Sequence, residues 1–307
     1  MKIAVMGTGG VGGYYGGLLA QGGHDVTFVA RSPHLDAIRR DGLQIRSVHG
    51  DFAVSPARAT DTPGEIGRVD LVLFCVKTYH TDQAAQAVKP IIGPETTVVS
   101  LQNGIDAAER IGAIVGLERM LGGATWISSA VEAPGIIKQV SQFRRIVVGE
   151  FSGELGPRVE AITKAFQPTG VTIEAAQDIL KVLWTKFVFI AAISGVGSLT
   201  RLPVGDYRAV PETRALLRNL MREVEAIAGA RGVSLDTDVV EKSLDFIVSS
   251  AAQIKPSMQR DVETGRRSEL ESMIGIIGRK GRELGVPTPT ADLVYAALLP
   301  GDLLTRL

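Results

Sequence analysis

The opening dozen residues constrain this chain most. Gly7-Thr8-Gly9-Gly10-Val11-Gly12 follows directly on the apolar run Ile3-Ala4-Val5-Met6 and leads straight into a helical stretch over residues 11–21. The first glycine permits a tight turn out of a strand, the second lets a pyrophosphate approach the backbone, and the third lets helix and strand pack closely. The helix start then offers unpaired N–H groups and the positive end of a dipole to an anion. A glycine-rich turn can be no more than a turn. Here strand, turn, helix and a second β-branched run at residues 25–30 stand in the order of a βαβ unit, so Gly7, Thr8, Gly9, Gly10, Val11 and Gly12 are read as a dinucleotide cradle.

The second run delivers Arg31-Ser32 where an NAD-binding chain usually carries an acidic residue for the ribose hydroxyls. A carboxylate there would repel a 2′-phosphate, whereas a guanidinium forms paired, charge-assisted hydrogen bonds with it. Arg31 therefore argues for NADP, the plain alternative being a solvated surface arginine. Further short β-branched runs at residues 70–76, 97–101 and 120–125 alternate with helical stretches. That alternation predicts an α/β fold, a Rossmann-type doubly wound parallel sheet. Residues 136–150 read as a hairpin-like pair added at the sheet edge, with Gln-Val-Ser-Gln-Phe between them. Val76-Lys77 and Gln102-Asn103-Gly104 close two of the runs, and ligands of open α/β sheets bind beyond such carboxyl ends. Lys77 is placed to reach cofactor phosphate or ribose and Asn103 to reach cofactor or substrate, although Asn-Gly is also an ordinary turn signal.

From residue 157 the pattern changes to helical spacing, in blocks near 157–167, 177–199, 208–231, 236–251, 268–285 and 288–299. One β-branched stretch interrupts it, at residues 171–174, behind the breaker cluster 168–170. The expected division is an NADP-binding domain over 1–174 and an all-helical substrate and catalytic domain over 175–307. At 307 residues two hydrophobic cores are the default. The 33 basic residues balance 33 acidic ones, so no general basic field exists to grip nucleic acid or anionic lipid. The pairs Arg39-Arg40 and Arg266-Arg267 read as solvated faces. Cys75 is the only cysteine and reads as a small core hydrophobe, with neither disulfide nor cysteine cluster available. His24, His34, His49 and His80 lack metal-ligand spacing and read as surface or turn residues, so no metal is expected. No secretory signal pattern opens the chain. Its longest uncharged apolar stretch is taken as residues 187–193, short of the roughly 20 needed to span a bilayer. A cytoplasmic protein outside any membrane is expected, its oligomeric state left open with a homodimer as one outcome.

The stretch Ile179-Leu180-Lys181-Val182-Leu183-Trp184-Thr185-Lys186-Phe187-Val188-Phe189-Ile190-Ala191-Ala192-Ile193 is apolar nearly all round, which predicts a helix through the middle of the second domain. Lys186 lies inside it. Such a lysine either snorkels its head to water or lines a cavity, where desolvation lowers its pKa. A lysine tuned toward neutrality suits a general acid that protonates the alkoxide of a ketone under reduction. Periodicity by itself favours the snorkelling lysine.

Together these residues resemble the ketopantoate reductases (2-dehydropantoate 2-reductases), which reduce ketopantoate to pantoate with NADPH in pantothenate biosynthesis. The resemblance spans essentially the whole chain. Its anchors are Met1-Lys2-Ile3 with Gly7 to Gly12, Arg31, Val76-Lys77, Gln102-Asn103-Gly104, Leu183-Trp184-x-Lys186, Ser257-Met258-x-x-Asp261 and Gly265-Arg266-x-Ser268-Glu269-Leu270-Glu271. It implies that Lys186 is the general acid, Asn103 and Lys77 are active-site and cofactor contacts, and Arg31 reads the 2′-phosphate. It further implies that Glu269 faces Lys186 and the nicotinamide, that Ser257 binds the substrate carboxylate, and that Ser129 touches the cofactor. Without it, Glu269 would be read as helix-start electrostatics, because Ser268-x-x-Glu271 fits a capping box.

The chain departs from the family pattern near the substrate. Pantoate-making members commonly carry asparagines one and two turns after the lysine; here stand Ile190 and Ser194. An asparagine before Ser257 is also missing, Ile254 and Lys255 occupying that region. A buried isoleucine cannot bind a hydroxyl, though Lys255 or Arg201 is available to supply a positive charge for a carboxylate. The small-molecule substrate is then ketopantoate or another 2-keto acid or ketone handled by a paralogue. A non-catalytic NADP-sensing protein is the reading from a different class.

Overall fold

The computed structural model describes residues 1–306. It divides into two compact units, Met1–Gln102 with Asp106–Ile179, and Asn103–Ile105 with Leu180–Leu307.

The first unit is an eight-stranded sheet flanked by helices. In chain order its elements are β1 (Lys2–Met6), α1 (Gly10–Gln21), β2 (Asp25–Val29), α2 (His34–Asp41), β3 (Leu43–Ser47), β4 (Phe52–Val54), β5 (Arg58–Thr60), β6 (Val69–Phe74), α3 (Thr81–Val88), β7 (Ile92–Ser100), α4 (Ala107–Val115), β8 (Met120–Trp126), β9 (Ser129–Ala133), β10 (Ile136–Gln139), β11 (Arg145–Gly149), α5 (Pro157–Phe166) and β12 (Thr172–Ala175). The strand order is β12-β11-β8-β7-β6-β1-β2-β5. All neighbouring pairs run parallel except β8 with β11. Strands β1 and β6 are buried on both faces, which is why they read as continuous apolar runs rather than alternating ones.

A second sheet of four strands, β4-β3-β10-β9, lies against α1 and was not foreseen. It explains the glycines of that helix. A Cβ at Gly16 would strike Val5 and Phe28 of the large sheet, while one at Gly13 would strike Ile137 and one at Gly17 would crowd Ile45 of the small sheet. Glycine costs a helix about 1 kcal/mol relative to alanine. Here it lets side chains of both sheets pack directly on the helix backbone.

The expected hairpin over 136–150 is therefore incorrect. Strand β10 pairs with β3 and β9, whereas β11 pairs with β8 and β12 in the large sheet. The intervening residues fold around Ser141, whose Oγ accepts from Ser128 N–H at 2.9 Å and donates to Phe143 O at 2.7 Å. That local network turns the chain from one sheet to the other. The expected boundary at Glu174–Ala175 also moves, to Ile179–Leu180. Strand β12 is laddered to β11, and Ile179 fills the space beside Gly122 and Gly149, so both belong to the first unit.

The second unit is helical, comprising α6 (Ile179–Thr200), α7 (Val204–Ala209), α8 (Pro211–Ala230), α9 (Val239–Ser249), α10 (Ser257–Glu263), a π-helical turn at Glu271–Gly275, α11 (Ile276–Leu284) and α12 (Pro289–Leu304). Helix α6 contributes Phe187, Val188, Ala191, Ala192, Ile193 and Val196 to a core shared with Leu217, Leu220 and Met221 of α8 and Met273, Ile274 and Val294. The uncharged run of α6 extends past residue 193 to Thr200. This 22-residue helix is long and apolar enough to cross a membrane by length and composition, and most of its apolar window is buried inside the unit. A helix that is apolar all round is either a core helix or a membrane span; here its surroundings are those of a core.

Candidate active site

In the first unit, β1 has β2 on one side and β6 on the other, and the chain winds outward in both directions from that point. Ligands of such sheets bind beyond the strand ends at this switch. The turn after β1 is pinned there. Gly7 N–H and Thr8 N–H donate to Val29 O at 3.3 and 3.1 Å, and Thr8 Oγ adds a bond to the same oxygen at 2.9 Å. Gly7 has φ +99°, and a Cβ on it would fall 2.7 Å from Val76 N. Only glycine meets both conditions.

Gly9 precedes α1 and its Cβ position opens onto nothing within 4 Å, leaving bare backbone. Gly10 instead abuts β9, since a Cβ there would lie 2.6 Å from the Ser129 carbonyl. Val11 and Gly12 complete the first turn, whose N–H groups have no intrahelical acceptor. The Ser129 hydroxyl is buried beside this turn without a hydrogen-bond partner, an unusual state for a polar atom. Arg31 is exposed and donates only a long bond, 3.3 Å, to Gln83. Bare backbone at Gly9, an unmatched Ser129 hydroxyl and an exposed guanidinium beyond β2 fit a phosphorylated dinucleotide.

Lys77 follows β6, with its carbonyl accepting from His80 N–H at 2.8 Å. Gln102 ties the two strand ends together. Its Nε2 donates to Val76 O and to Thr81 Oγ, each at 2.9 Å. His34 is not a plain surface histidine. It is half-buried, its Nδ1 accepts from Gly135 N–H at 2.9 Å, and burial lowers its pKa.

The lysine cluster belongs wholly to the second unit. Lys186 Nζ donates to Asn103 Oδ1 at 2.9 Å. Burial of the ammonium pulls its pKa down to about 8, against the opposing attraction of the Glu269 carboxylate. Snorkelling, which periodicity favoured, is thus not what this lysine does. Glu269 is 6 % exposed and Lys186 is partly buried, so the carboxylate acts on an ammonium largely withdrawn from water, with an amide oxygen accepting from that ammonium. The arrangement can hold a proton near neutrality and release it.

The capping box does not form. Ser268 bonds to Asp302, while Glu271 takes the Tyr295 hydroxyl at 2.5 Å and Arg279 at 2.7 Å. Ile190 and Ser194 stand one and two turns beyond Lys186 on its side of α6, and Ser194 is buried. Ser257 opens α10, a helix whose Gln259 lies against Gly197 of α6. Lys255 is not a spare charge for a substrate carboxylate, because Glu263 takes it through both oxygens at 2.8 and 2.9 Å. Arg201 is exposed and has φ +58°, an uncommon conformation for a residue with a side chain.

The chain matches the family model described as ketopantoate reductase PanE/ApbA at residues 3–153, and the C-terminal model of the same family at residues 178–300. It is 34 % identical to the "uncharacterized oxidoreductase YkpB" of Bacillus subtilis (strain 168), over 97 % of this chain and 98 % of that one. It is 31 % identical to a 2-dehydropantoate 2-reductase of Mesorhizobium japonicum, over 96 % of each. Among solved structures, the 2-dehydropantoate 2-reductase from Geobacter metallireducens GS-15 superposes with a TM-score of 0.91 at 31 % identity, covering 98 % of this chain and 99 % of that one. The chain belongs to the ketopantoate reductase family and is an oxidoreductase of that type.

Proposed function

We propose that this protein reduces 2-dehydropantoate (ketopantoate) to pantoate with NADPH, with Lys186 as the general acid. The observation that carries the reading is the Lys186 ammonium, bonded to Asn103 at 2.9 Å, attracted by Glu269, and brought by burial to about 8. NADPH, when bound, supplies the hydride to the keto carbon. Lys186 gives its proton to the carbonyl oxygen as charge develops there, and the neutral amine is recharged from water. Asn103 aims the ammonium through its amide oxygen, and Glu269 keeps it charged below about pH 8. Gly9, Gly10 and the α1 start receive the pyrophosphate, Ser129 and Lys77 bind nearby portions of the cofactor, and Arg31 takes the 2′-phosphate. Ser257 and Ser194 offer hydroxyls to the substrate.

Ile190 favours a second reading, a paralogue acting on a 2-keto acid whose side chain lacks a hydroxyl. A site that is apolar where a hydroxyl must bind loses the discrimination that polar partners give. One experiment tests both. Purified protein is given NADPH or NADH with ketopantoate and with a panel of aliphatic and aromatic 2-keto acids, and cofactor oxidation is followed. Turnover of ketopantoate with NADPH well above the panel is expected from the first reading; turnover of the apolar acids alone selects the second. Failure of every acid with either cofactor would overturn both.

A further inference from the structure

The last helix places a carboxylate where electrostatics disfavours one. Asp302 lies in the final turn of α12, at the negative end of the helix dipole, and is only 5 % exposed. A buried carboxylate at that pole persists only if other groups hold it. One oxygen, Oδ1, accepts from Ser268 N–H at 3.0 Å and from Ser268 Oγ–H at 2.6 Å. The other, Oδ2, accepts from Arg306 through Nε at 3.1 Å and Nη2 at 2.7 Å.

Ser268 immediately precedes Glu269, and its Oγ also accepts from Leu270 N–H at 3.3 Å. Both neighbours of Glu269 are thus drawn into one clasp. Arg306 extends it, lying 3.5 Å from Glu271, which is itself held by Tyr295 and Arg279. The other end of α12 is anchored as well, since the buried Glu223 of α8 accepts from Thr290 N–H at 2.7 Å and Ala291 N–H at 2.8 Å. The helix is therefore fixed at both ends, and one end grips the segment that carries Glu269.

We propose that Asp302 is a positioning residue: clamped by Arg306, it holds Ser268 and thereby fixes the Glu269 carboxylate relative to the Lys186 ammonium. The charged groups facing Asp302 are Arg306 and, through it, Glu271; the charged group acting on Lys186 is Glu269. Loss of the clasp lets Glu269 turn away from Lys186, and the lysine then loses its proton at lower pH. The proposal rests on the reading of Lys186 as proton donor only where turnover is measured, because the titration of Lys186 can be followed without substrate.

The experiment compares the parent with Asp302→Asn and with the milder Ser268→Ala and Arg306→Gln. Each full-length protein carries lysine labelled with ¹³C at Cε, and the Lys186 signal, assigned by its loss in Lys186→Arg, is titrated by NMR. The expected result is a downward move of the Lys186 midpoint by about one pH unit in Asp302→Asn and a smaller move in the other two, with NADPH affinity within about twofold of the parent. Where the parent turns over a keto acid, the falling limb of kcat/KM follows the midpoint. A purely structural role would lower Tm and leave the midpoint in place. An unmoved midpoint in the folded variants overturns the proposal; should Asp302→Asn not fold, Ser268→Ala and Arg306→Gln decide. A moved midpoint in a protein without turnover would overturn the reductase reading and support the clasp.

Discussion

Glu269→Gln keeps the size and shape of the side chain and removes its charge, leaving Lys186 with its burial and the Asn103 amide oxygen. In the parent, burial and the Glu269 attraction together set the ammonium near 8. An opposite charge at roughly 4–6 Å moves a pKa by about 1–3 units, so the variant's lysine should titrate near 7 or below. At pH 7 the protonated fraction then falls from about nine-tenths to about half, and at pH 8 from about half to about one-tenth. If Lys186 is the proton donor as proposed, reduction requires the ammonium, so activity from this group is present below its pKa and lost as pH rises through it. The sign follows: the alkaline limb of kcat/KM moves to lower pH by at least about one unit, with about a twofold loss at pH 7 and about a fivefold loss at pH 8 from titration alone. The assay is NADPH consumption with a saturable keto acid across pH 6 to about 10. A limb that stays near the parent's value would refute the electrostatic role assigned to Glu269. A loss equal at every pH would place that carboxylate in the proton transfer itself.

Lys186→Ala should lower kcat for keto-acid reduction by roughly a hundred- to ten-thousandfold while NADPH, titrated by its fluorescence, binds as before. Unchanged biological output despite lost turnover would indicate an NADP sensor. Arg31→Ala removes a charge-assisted partner worth about 1.5–3 kcal/mol, so KM for NADPH should rise roughly 10- to 150-fold and that for NADH within about twofold; equal changes for both cofactors would disprove the 2′-phosphate assignment. Ile190→Asn places an amide one turn from Lys186 and should raise kcat/KM for ketopantoate relative to an apolar 2-keto acid by at least about tenfold. An unaltered ratio would remove Ile190 from the specificity face.

The parts legible in the sequence were those set by local rules. Glycines at fixed offsets after a strand, β-branched runs buried on both faces, and an apolar stretch too uniform for a surface helix each carry their signal within a few residues. The four-stranded sheet carried none, because β3 and β10 are far apart in sequence and each is short; the glycines of α1 were its only trace, and they can be interpreted only once Ile137 and Ile45 are seen against them. The same reason hid the boundary, since Ile179 resembles the helix it begins while packing beside Gly122 and Gly149. Lys186 could be picked out by type and surroundings. Whether it reached water depended on Asn103 and Glu269, brought from distant parts of the chain. Asp302 had no motif around it, and its importance appears only with Ser268 and Arg306 in place.

On the proposed mechanism, the core and the chemistry of the second unit share one physical origin. An ammonium with the ordinary lysine pKa of about 10.4 would be fully charged at neutral pH yet a reluctant donor. The apolar surroundings that make α6 the centre of its unit also destabilise the charge on Lys186, so packing itself brings the proton within reach of release. Left to burial alone the same lysine would lose its proton too early, and an unpaired buried charge would weaken the fold. Glu269 offsets that tendency from a segment tied to the far end of α12. On this account, substitutions that loosen the α6 core without touching Lys186 should raise its pKa toward the free value. Substitutions that release Glu269 should lower it. The direction of the shift therefore distinguishes the two kinds of damage, even where both produce the same loss of rate at one pH.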